Sequence, residues 1–290
     1  MDVGESGQRG RGEPHPGTGV RGALGTGGAG SDAGGRLRLP NAVTPPTVSV
    51  LTYNIHKGWA PWRTRVTIAA MREALRAVAP DFVLLQEVRG ALFDPERAAR
   101  EHVPQHRYLA EGAWPYVAYG ANRFTVAGHH GNAVLSRFPI VAQRNHDLSA
   151  APRWESRGAL EVVVAMGAQR VHLFSLHLGL RHRWRQWQLA RLRELVAAVP
   201  EGRPVIVGGD FNDWERAACL RFAAPLGLQR VDAGLKRPLR TYPARGWRFG
   251  RLDRLYVRGF VVLDAQVLRR APWSRLSDHL PLLARLAWVA

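Results

Sequence analysis

The sequence lacks the features of disulfide-bonded and membrane-spanning proteins. It contains a single cysteine, Cys219, so no disulfide can form within the chain. Cys219 lies in a stretch rich in alanine and leucine, which favours a small buried residue over a reactive thiol. No apolar run reaches the length of about 18 residues needed for a membrane span, and the N-terminus has no apolar signal-peptide segment. These absences predict a cytoplasmic location.

Aliphatic runs are also scarce in the first part of the chain. Residues 1–46 carry 13 of the 30 glycines, together with scattered proline and arginine. Such a segment cannot bury enough apolar surface to offset the entropy lost on ordering, so it is predicted to be disordered. Residues 47–290 are predicted to form one domain, because sandwiches of about 200–250 residues often fold as a single unit.

Basic residues outnumber acidic ones. The chain has 41 lysines and arginines against 23 aspartates and glutamates, a formal net charge of +18. This charge would attract a polyanion such as nucleic acid or an anionic membrane surface. It would equally suit an arginine-rich surface whose only role is solvation. Because the arginines are spread along the whole chain, both interpretations stay open.

The pattern of apolar residues predicts a mixed α and β protein. Ile68, Met71, Leu75 and Val78 form one helical stripe, in a helix at 64–79 that Thr64 could cap. A second helix is predicted at 184–199, with Leu189, Leu192, Val196 and Val199 on one face. Strands are predicted at 48–53, 82–85, 133–135, 160–166, 171–176, 204–207, 255–257, 261–268 and 282–286. Helices and strands alternate early and strands dominate late, which predicts two sheets packed face to face with helices outside.

Polar side chains that can bind metal follow several of the predicted buried strands. They are Asn54, Glu87, His177, Asp210 with Asn212, and Asp278 with His279. Taken singly, each has an ordinary explanation as a turn, a cap or a surface group. If the strand ends converge, however, the carboxylates repel one another unless a cation neutralises them. Oxygen ligands of this kind suit Mg²⁺ or Mn²⁺, so the pattern predicts a divalent-metal site.

Seven motifs carry a resemblance to a known family. They are TYNIHKG (52–58), LLQEV (84–88), GNAVLSRFPI (131–140), SLHLG (175–179), GGDFND (208–213), RLDRLYV (251–257) and SDHLPL (277–282). In this order they resemble the endonuclease/exonuclease/phosphatase superfamily over about residues 48–290. The resemblance implies an α+β, DNase I-like fold: a four-layered α/β/β/α sandwich of two mixed β-sheets with helices outside. The sequences of these motifs are most similar to those of a bacterial branch of the superfamily whose substrate is undefined.

The resemblance also implies which residues bind metal and substrate. Glu87 resembles the principal metal-binding carboxylate of the family, and the cofactor implied is Mg²⁺ or Mn²⁺. Asn54 is implied to help hold metal or phosphate, and Asp278 is implied as a second metal contact or a phosphate-site carboxylate. Arg157 resembles, more loosely, an arginine that contacts phosphate. Asn132 is implied as a residue that orients substrate or supports the site.

Catalytic roles follow from the same resemblance. His279 resembles a histidine that activates water or supports the transition state, and Asp253 resembles the carboxylate that orients it. Asp210 and Asn212 are implied to position the attacking water and a phosphate oxygen. His177 resembles the histidine that protonates the leaving oxygen in the DNase-like branch.

Three functions stay open. The first is a metal-dependent phosphodiesterase that cleaves nucleic acid. Trp184, Trp187, Trp247 and Arg248 could stack bases and hold phosphates, although packing within the fold is the more common role of such tryptophans. The second is a phospholipid- or sphingomyelin-type phosphodiesterase at an anionic membrane surface. An exposed aromatic hairpin would favour lipid and an arginine-lined groove would favour nucleic acid. The third is a non-catalytic scaffold. The sequence indicates no oligomeric state.

Overall fold

Two six-stranded β-sheets form the centre of the computed structural model, which describes residues 46–149, 155–214 and 222–289. The segment predicted to be disordered lies outside the described residues except for Pro46, so its disorder stays a prediction. Cys219, predicted to be buried, also lies outside them. No helix in the described ranges is long and apolar enough to cross a membrane, and the cytoplasmic location stays a prediction.

The described elements are named in chain order. The strands are β1 (Thr47–Asn54), β2 (Phe82–Leu92), β3 (Tyr116–Thr125), β4 (Gly128–Ser136), β5 (Ile140–Asp147), β6 (Gly158–Met166), β7 (Gln169–His177), β8 (Val205–Asp210), β9 (Gln229–Arg230), β10 (Asp253–Arg258), β11 (Phe260–Val267) and β12 (Leu282–Trp288). The helices are α1 (Ile68–Val78), α2 (Pro95–Arg100), α3 (Gln105–Ala110) and α4 (His182–Ala197).

Each sheet is mixed, as predicted. The first sheet has the order β11-β12-β1-β2-β4-β3, and the second has the order β5-β6-β7-β8-β10-β9. The pairs β1–β2 and β7–β8 are parallel, and the other pairs are antiparallel. Parallel neighbours end at the same edge of a sheet, so the carboxyl ends of β7 and β8 lie side by side.

The faces of the two sheets that meet are largely apolar and carry a buried polar bridge through Gln86. Side chains alternate along a strand, so Val50, Thr52 and Asn54 of β1 share a face. Gln86 donates from Nε2 to Oγ1 of Thr52 (3.2 Å) and to Oγ of Ser175 in the second sheet (3.3 Å). This bridge identifies the face of β1 that points at the second sheet. Asn54 therefore points between the sheets as well.

Helices cover the outer faces. Leu189, Leu192 and Val196 of α4 are buried in one cluster with Phe174 and Val207 of the second sheet. This is the apolar face that the sequence predicted, and the helix occupies nearly the predicted range. Burial of three such side chains contributes roughly 1.5–3 kcal/mol each, which is enough to hold the helix against the sheet.

The start of α1 differs from the prediction. The helix begins at Ile68, and its N-cap position is Thr67 and not Thr64. Oγ1 of Thr67 donates to the Leu276 carbonyl at 2.7 Å, so the tertiary contact places this residue where a capping preference alone does not. Ile68, Met71 and Leu75 are fully buried, as the predicted stripe requires.

The strands β3 and β5 were missed by the sequence reasoning. Both carry many exposed or half-exposed polar residues, as in the stretch Gln143–Asn145 of β5. Both lie at sheet edges, where a strand has one hydrogen-bonded neighbour and little burial. Apolar runs therefore do not reveal them.

Candidate active site

Three polar residues meet because of strand register. His177 is the last residue of β7 and is paired with Asp210, the last residue of parallel β8. Asp253, the first residue of β10, is paired with Asp210 from the antiparallel side. All three side chains are buried. The end of β8 therefore carries a carboxylate between an imidazole and a second carboxylate.

Asn54 links the two sheets at this point. Its Nδ2 donates to Oδ2 of Asp210 at 3.1 Å and lies 3.4 Å from Oε1 of Glu87. Its Oδ1 accepts a hydrogen bond from the backbone N–H of His56 at 3.0 Å, which fixes the orientation of the amide. Asn54 therefore joins a carboxylate of the first sheet to a carboxylate of the second.

Glu87 lies within a strand and not at its end, which corrects the sequence prediction. Strand β2 continues to Leu92, and its pairing with β4 shifts between Leu85 and Val88. Glu87 has φ of +56°, a value that side chains other than glycine rarely adopt. Without this bulge, alternation would direct Glu87 away from the second sheet. The bulge turns its carboxylate towards Asn54, a frequent use of bulges beside functional sites.

Lys57 forms an ion pair with Glu87. Burial by itself would raise the pKa of Glu87, but the Lys57 ammonium and the nearby His177 and His56 hold it well below its usual range. The carboxylate is therefore ionised at neutral pH. The motif TYNIHKG contains Lys57, but the sequence reasoning assigned it no role.

His279 and Asp253 form the most buried acid–imidazole pair of the site. Nδ1 of His279 lies 2.7 Å from Oδ2 of Asp253, and Nε2 of His279 lies 3.7 Å from Oδ2 of Asp210. Burial would lower the pKa of His279, but the two carboxylates raise it to about 10. The imidazole is therefore a cation at neutral pH.

Asp278 and His279 precede a strand instead of following one, which corrects a second expectation. They lie in the loop before β12. Oγ of Ser277 donates to the Asn54 carbonyl at 2.8 Å and holds this loop against the end of β1. Oδ1 of Asp278 lies 3.9 Å from Nδ1 of His56, and both residues line a cavity that opens from the site.

His177 has the opposite electrostatic environment. Burial and the Arg157 guanidinium lower its pKa to about 3, so the ring is neutral at neutral pH. Nη1 of Arg157 lies 3.3 Å from Nδ1, and because a guanidinium can only donate, Nδ1 accepts. Nε2 lies 3.4 Å from Oδ2 of Asp210. Arg157 also donates to Glu155 at 2.6 Å.

The two remaining asparagines have backbone partners. Asn212 has φ of +47°. Its backbone N–H donates to Oδ1 of Asp210 at 3.0 Å, and its side-chain Nδ2 donates to the Leu178 carbonyl at 2.9 Å. Nδ2 of Asn132 donates to the carbonyls of Gly158 (2.9 Å) and Ser175 (3.2 Å). Asn132 therefore ties β4 to the second sheet.

The donor set fits a divalent cation. One atom each from Asp210, Asp253 and His279 can be chosen so that all lie within 4.8 Å of one another, and the two carboxylates are the groups that can bind the cation, because the His279 imidazole is itself protonated. Oδ1 of Asp253 is buried without a hydrogen-bond partner in the described residues. A buried carboxylate oxygen without a donor is suited to a hard cation. Glu87 offers a third carboxylate, which Lys57 neutralises in this structure.

Two further residues of the site were missed. His130 lines a small cavity with Glu87, Arg157 and His177, and burial lowers its pKa to about 4. The ring of Tyr242 lies 4.9 Å from that of His279. His130 directly precedes the GNAVLSRFPI motif, which was a usable signal. Tyr242 lies far from any motif.

Comparison with known proteins agrees with this geometry. Residues 51–279 match the Endonuclease/Exonuclease/phosphatase family. The chain is 39% identical over 254 residues to the uncharacterized protein YbhP of Escherichia coli (strain K12), a match that covers 86% of this chain and 99% of that protein.

Solved structures share the fold. D. rerio TDP2 complexed with single strand DNA product superposes with a TM-score of 0.64 at 17% identity, covering 83% of this chain and 98% of that one. The Bacteroides thetaiotaomicron mannosyl-6-phosphatase Bt3783 also superposes with a TM-score of 0.64, at 18% identity and with coverage of 83% and 100%. By sequence and by its sandwich of two mixed sheets, the chain belongs to the endonuclease/exonuclease/phosphatase family, whose fold is that of phosphoester hydrolases.

Proposed function

We propose that this protein is a divalent-metal-dependent phosphodiesterase that hydrolyses nucleic acid by in-line attack of water. The observation that carries the proposal is the buried chain of contacts from Asp253 through His279 to Asp210, with Asn54 joining Asp210 to Glu87. A cluster of carboxylates and imidazoles with strongly shifted pKa values is typical of catalytic sites.

Glu87, Asp210 and Asp253 are the carboxylates that would hold Mg²⁺ or Mn²⁺, and Asp278 would contribute from the opening. When bound, the cation would offset the charge that develops on the phosphoryl oxygens. The protein's own part is to fix these oxygens in a buried, preorganised arrangement, which strengthens their electrostatic effect.

The two histidines have different proposed roles. His279, held as a cation by Asp253, places positive charge where negative charge develops in the transition state. His177, neutral because of burial and Arg157, would donate one hydrogen bond through Nε2 towards the reacting group or Asp210. Asp210, between the two rings, would orient the attacking water. Positioned groups of this kind typically contribute about 10²–10⁴ in rate each.

A first test is an activity screen with Mg²⁺ and with Mn²⁺, each repeated with EDTA. The substrates are plasmid DNA, RNA, phospholipid vesicles and bis-(p-nitrophenyl) phosphate. We expect metal-dependent hydrolysis of the nucleic acids that disappears in Glu87→Ala, Asp210→Ala and His279→Ala while the proteins stay folded. Glu201→Ala, an exposed carboxylate away from the site, is the matched control. Near-wild-type turnover by a folded site variant would refute the mechanism.

A phospholipid phosphodiesterase is the second candidate. One observation favours it: Trp62, Trp247 and Phe249 are 87%, 84% and 56% exposed on the side of the site where Tyr242 lies. Exposed aromatic rings can enter a membrane interface. Hydrolysis of vesicle lipid faster than of DNA in the same screen would favour this candidate.

A further inference from the structure

A short hairpin separates two cavities beside the candidate active site. Tyr242 and Gly250 pair as an isolated antiparallel bridge, with the Gly250 N–H donating to the Tyr242 carbonyl at 2.9 Å. Residues 242–250 between and including them are called the 240s hairpin here. Tyr242 contacts His279, so the hairpin begins at the site itself.

One side of the hairpin lines the opening of the site. A cavity of about 350 Å³ lies between His56, Trp62 and Asp278 on one side and Tyr242 and Arg245 of the hairpin on the other. This volume lies within the range of small-molecule pockets, about 300–1,000 Å³. A substrate whose phosphate reaches His279 would extend past Tyr242 into this space.

The other side of the hairpin lines a second cavity, of about 450 Å³, that is rich in arginine. Its lining includes Arg237, Arg240, Trp247, Arg248 and Arg269. The structure gives none of the four arginines a carboxylate within 4.0 Å among the residues that it describes. Four like charges that share a cavity repel one another, and an anion relieves the repulsion.

Two of these arginines are held in place by the hairpin backbone. Arg240 donates from Nη1 to the Arg248 carbonyl at 3.0 Å, and Arg248 donates from Nη1 to the Ala244 carbonyl at 3.4 Å. Each guanidinium has five N–H donors, so both keep donors for a ligand. Fixed guanidinium groups lose less entropy on binding an oxyanion than free side chains do.

Trp247 adds a stacking surface beside the arginines. Its side chain is 84% exposed in the hairpin, so packing within the fold does not account for it. Aromatic rings next to arginines bind single-stranded nucleic acid, because the bases stack on the rings while the guanidinium groups pair with phosphates. An anionic lipid surface would also use the charges and could take up the ring, so the test includes lipid vesicles.

We propose that the arginine cavity is a nucleic-acid exosite, which binds the strand at a distance from the scissile phosphate. The inference rests on the proposed function and deepens it: the substrate is single-stranded and long enough to cross the 240s hairpin. Phosphates bind Arg237, Arg240, Arg248 and Arg269, and one base stacks on Trp247. Short phosphodiesters reach His279 but not this cavity.

The test compares Arg237→Gln/Arg269→Gln with the wild-type chain. Both arginines are exposed and neither makes a hydrogen bond that holds the hairpin in the described structure. Binding of a labelled oligothymidylate of about 20 nucleotides is measured by fluorescence anisotropy in EDTA, so that no turnover is required. We expect Kd to rise about tenfold and the salt slope to fall by about 0.7 for each lost phosphate contact.

Kinetics provide the second readout. In the same variant, KM for the oligonucleotide should rise while kcat, and KM for bis-(p-nitrophenyl) phosphate, stay unchanged. Trp247→Ala should also weaken oligonucleotide binding. The matched control, Arg144→Gln/Arg193→Gln, removes the same charge from exposed arginines on β5 and α4.

Several outcomes would overturn the exosite. One is that the wild-type protein does not bind the oligonucleotide. Another is that the control variant Arg144→Gln/Arg193→Gln loses as much oligonucleotide affinity as Arg237→Gln/Arg269→Gln. A third is a rise in KM for the small substrate as well. Loss of binding to phosphatidylserine vesicles without loss of oligonucleotide binding would reassign the cavity to lipid. Oligonucleotide binding that responds as expected in a protein without hydrolytic activity would refute the proposed function while supporting the exosite.

Discussion

Asp253 holds His279 through a contact of 2.7 Å between Oδ2 and Nδ1, and the same imidazole points its Nε2 at Asp210. The three side chains come from β10, from the loop before β12 and from the end of β8, so two sheets contribute to one short chain of contacts. The two carboxylates therefore raise the pKa of His279 and keep its imidazole charged.

Asp253→Asn should lower the pKa of His279. Burial lowers this pKa and the Asp253 charge is its main opponent, so removal of that charge should lower the value from about 10 towards the usual value of about 6.5. NMR titration of the imidazole in EDTA measures this directly. We also expect kcat to fall by roughly 10²–10⁴. An unchanged pKa would contradict the electrostatic assignment.

The contact between Asp253 and His279 also makes the stability of the protein depend on pH. Because the folded pKa of His279 is raised, the stabilisation is complete below the unfolded value of about 6.5 and is lost as pH rises through about 10. The wild-type advantage over Asp253→Asn should therefore shrink in alkaline thermal melts.

Arg157→Gln should raise the pKa of His177. The value of about 3 has two main causes, burial first and Arg157 second, so the pKa should rise when the Arg157 charge is removed. In the wild-type protein this depressed pKa means that stability falls as pH drops from about 6.5 towards 3, since protonation favours the unfolded chain. NMR titration and acid melts check both statements. A fall in the pKa would show that Arg157 does not act as a neighbouring charge.

Lys57→Met should strengthen binding of Mg²⁺ or Mn²⁺. The Lys57 ammonium neutralises Glu87 and therefore competes with a metal ion for the carboxylate. We expect the metal Kd to fall several-fold in calorimetric titration. Glu87→Gln is the matched comparison, because it should weaken metal binding. Weaker binding in Lys57→Met would mean that the lysine supports the metal site instead of competing with it.

Arg254→Met should destabilise the protein without touching the catalytic residues. Nη2 of Arg254 lies 3.1 Å from Oδ2 of Asp213, a carboxylate whose side chain is fully buried. Removal of the cation leaves a buried unpaired charge, which typically costs about 3–5 kcal/mol in the free energy of unfolding. Denaturant unfolding measures it. Arg254→Met/Asp213→Asn should recover part of the loss, and no recovery would argue against the ion pair as the cause.

Gly209→Ala should disrupt the end of β8. Gly209 has φ of +151°, and an added Cβ would lie 1.9 Å from the Leu176 carbonyl oxygen, a backbone atom that cannot move aside. Overpacking of this kind costs roughly 1–3 kcal/mol or more, and the shift should displace the neighbouring Asp210. Melting temperature and turnover should both fall. Gly234→Ala, where a Cβ meets nothing within 4 Å, is the control and should behave as wild type.

Local patterns predicted much of the fold. The strands β1, β6, β7 and β8 were predicted with bounds within three residues of the observed ones, and the stripe on α4 was predicted with its buried face. These elements are strongly periodic and well buried, so their sequences carry the signal. The edge strands β3 and β5 carry little of it, because one side of each faces water.

The candidate site was predicted as a list of residues, and their roles stay predictions. The structure brings Asn54, Glu87, His177, Asp210 and His279 together, whereas Asp278 faces His56 at the opening and Asn132 ties strands together. Lys57 and the arginine cavity were not predicted. Lys57 and Glu87 form an ion pair although thirty residues of sequence separate them, and the arginines that line the cavity come from two separate segments of the chain.

The sequence alone determined the family, the two mixed sheets and the candidate residues. It did so through the order of the motifs and the periodicity of the apolar residues. Only the tertiary structure decided which side chains meet and in which charge state. The direction of Glu87 depends on a bulge in strand pairing, and the pKa values of His177 and His279 depend on neighbours from other strands. Strand register and burial are set by long-range packing, so no local stretch of sequence encodes them.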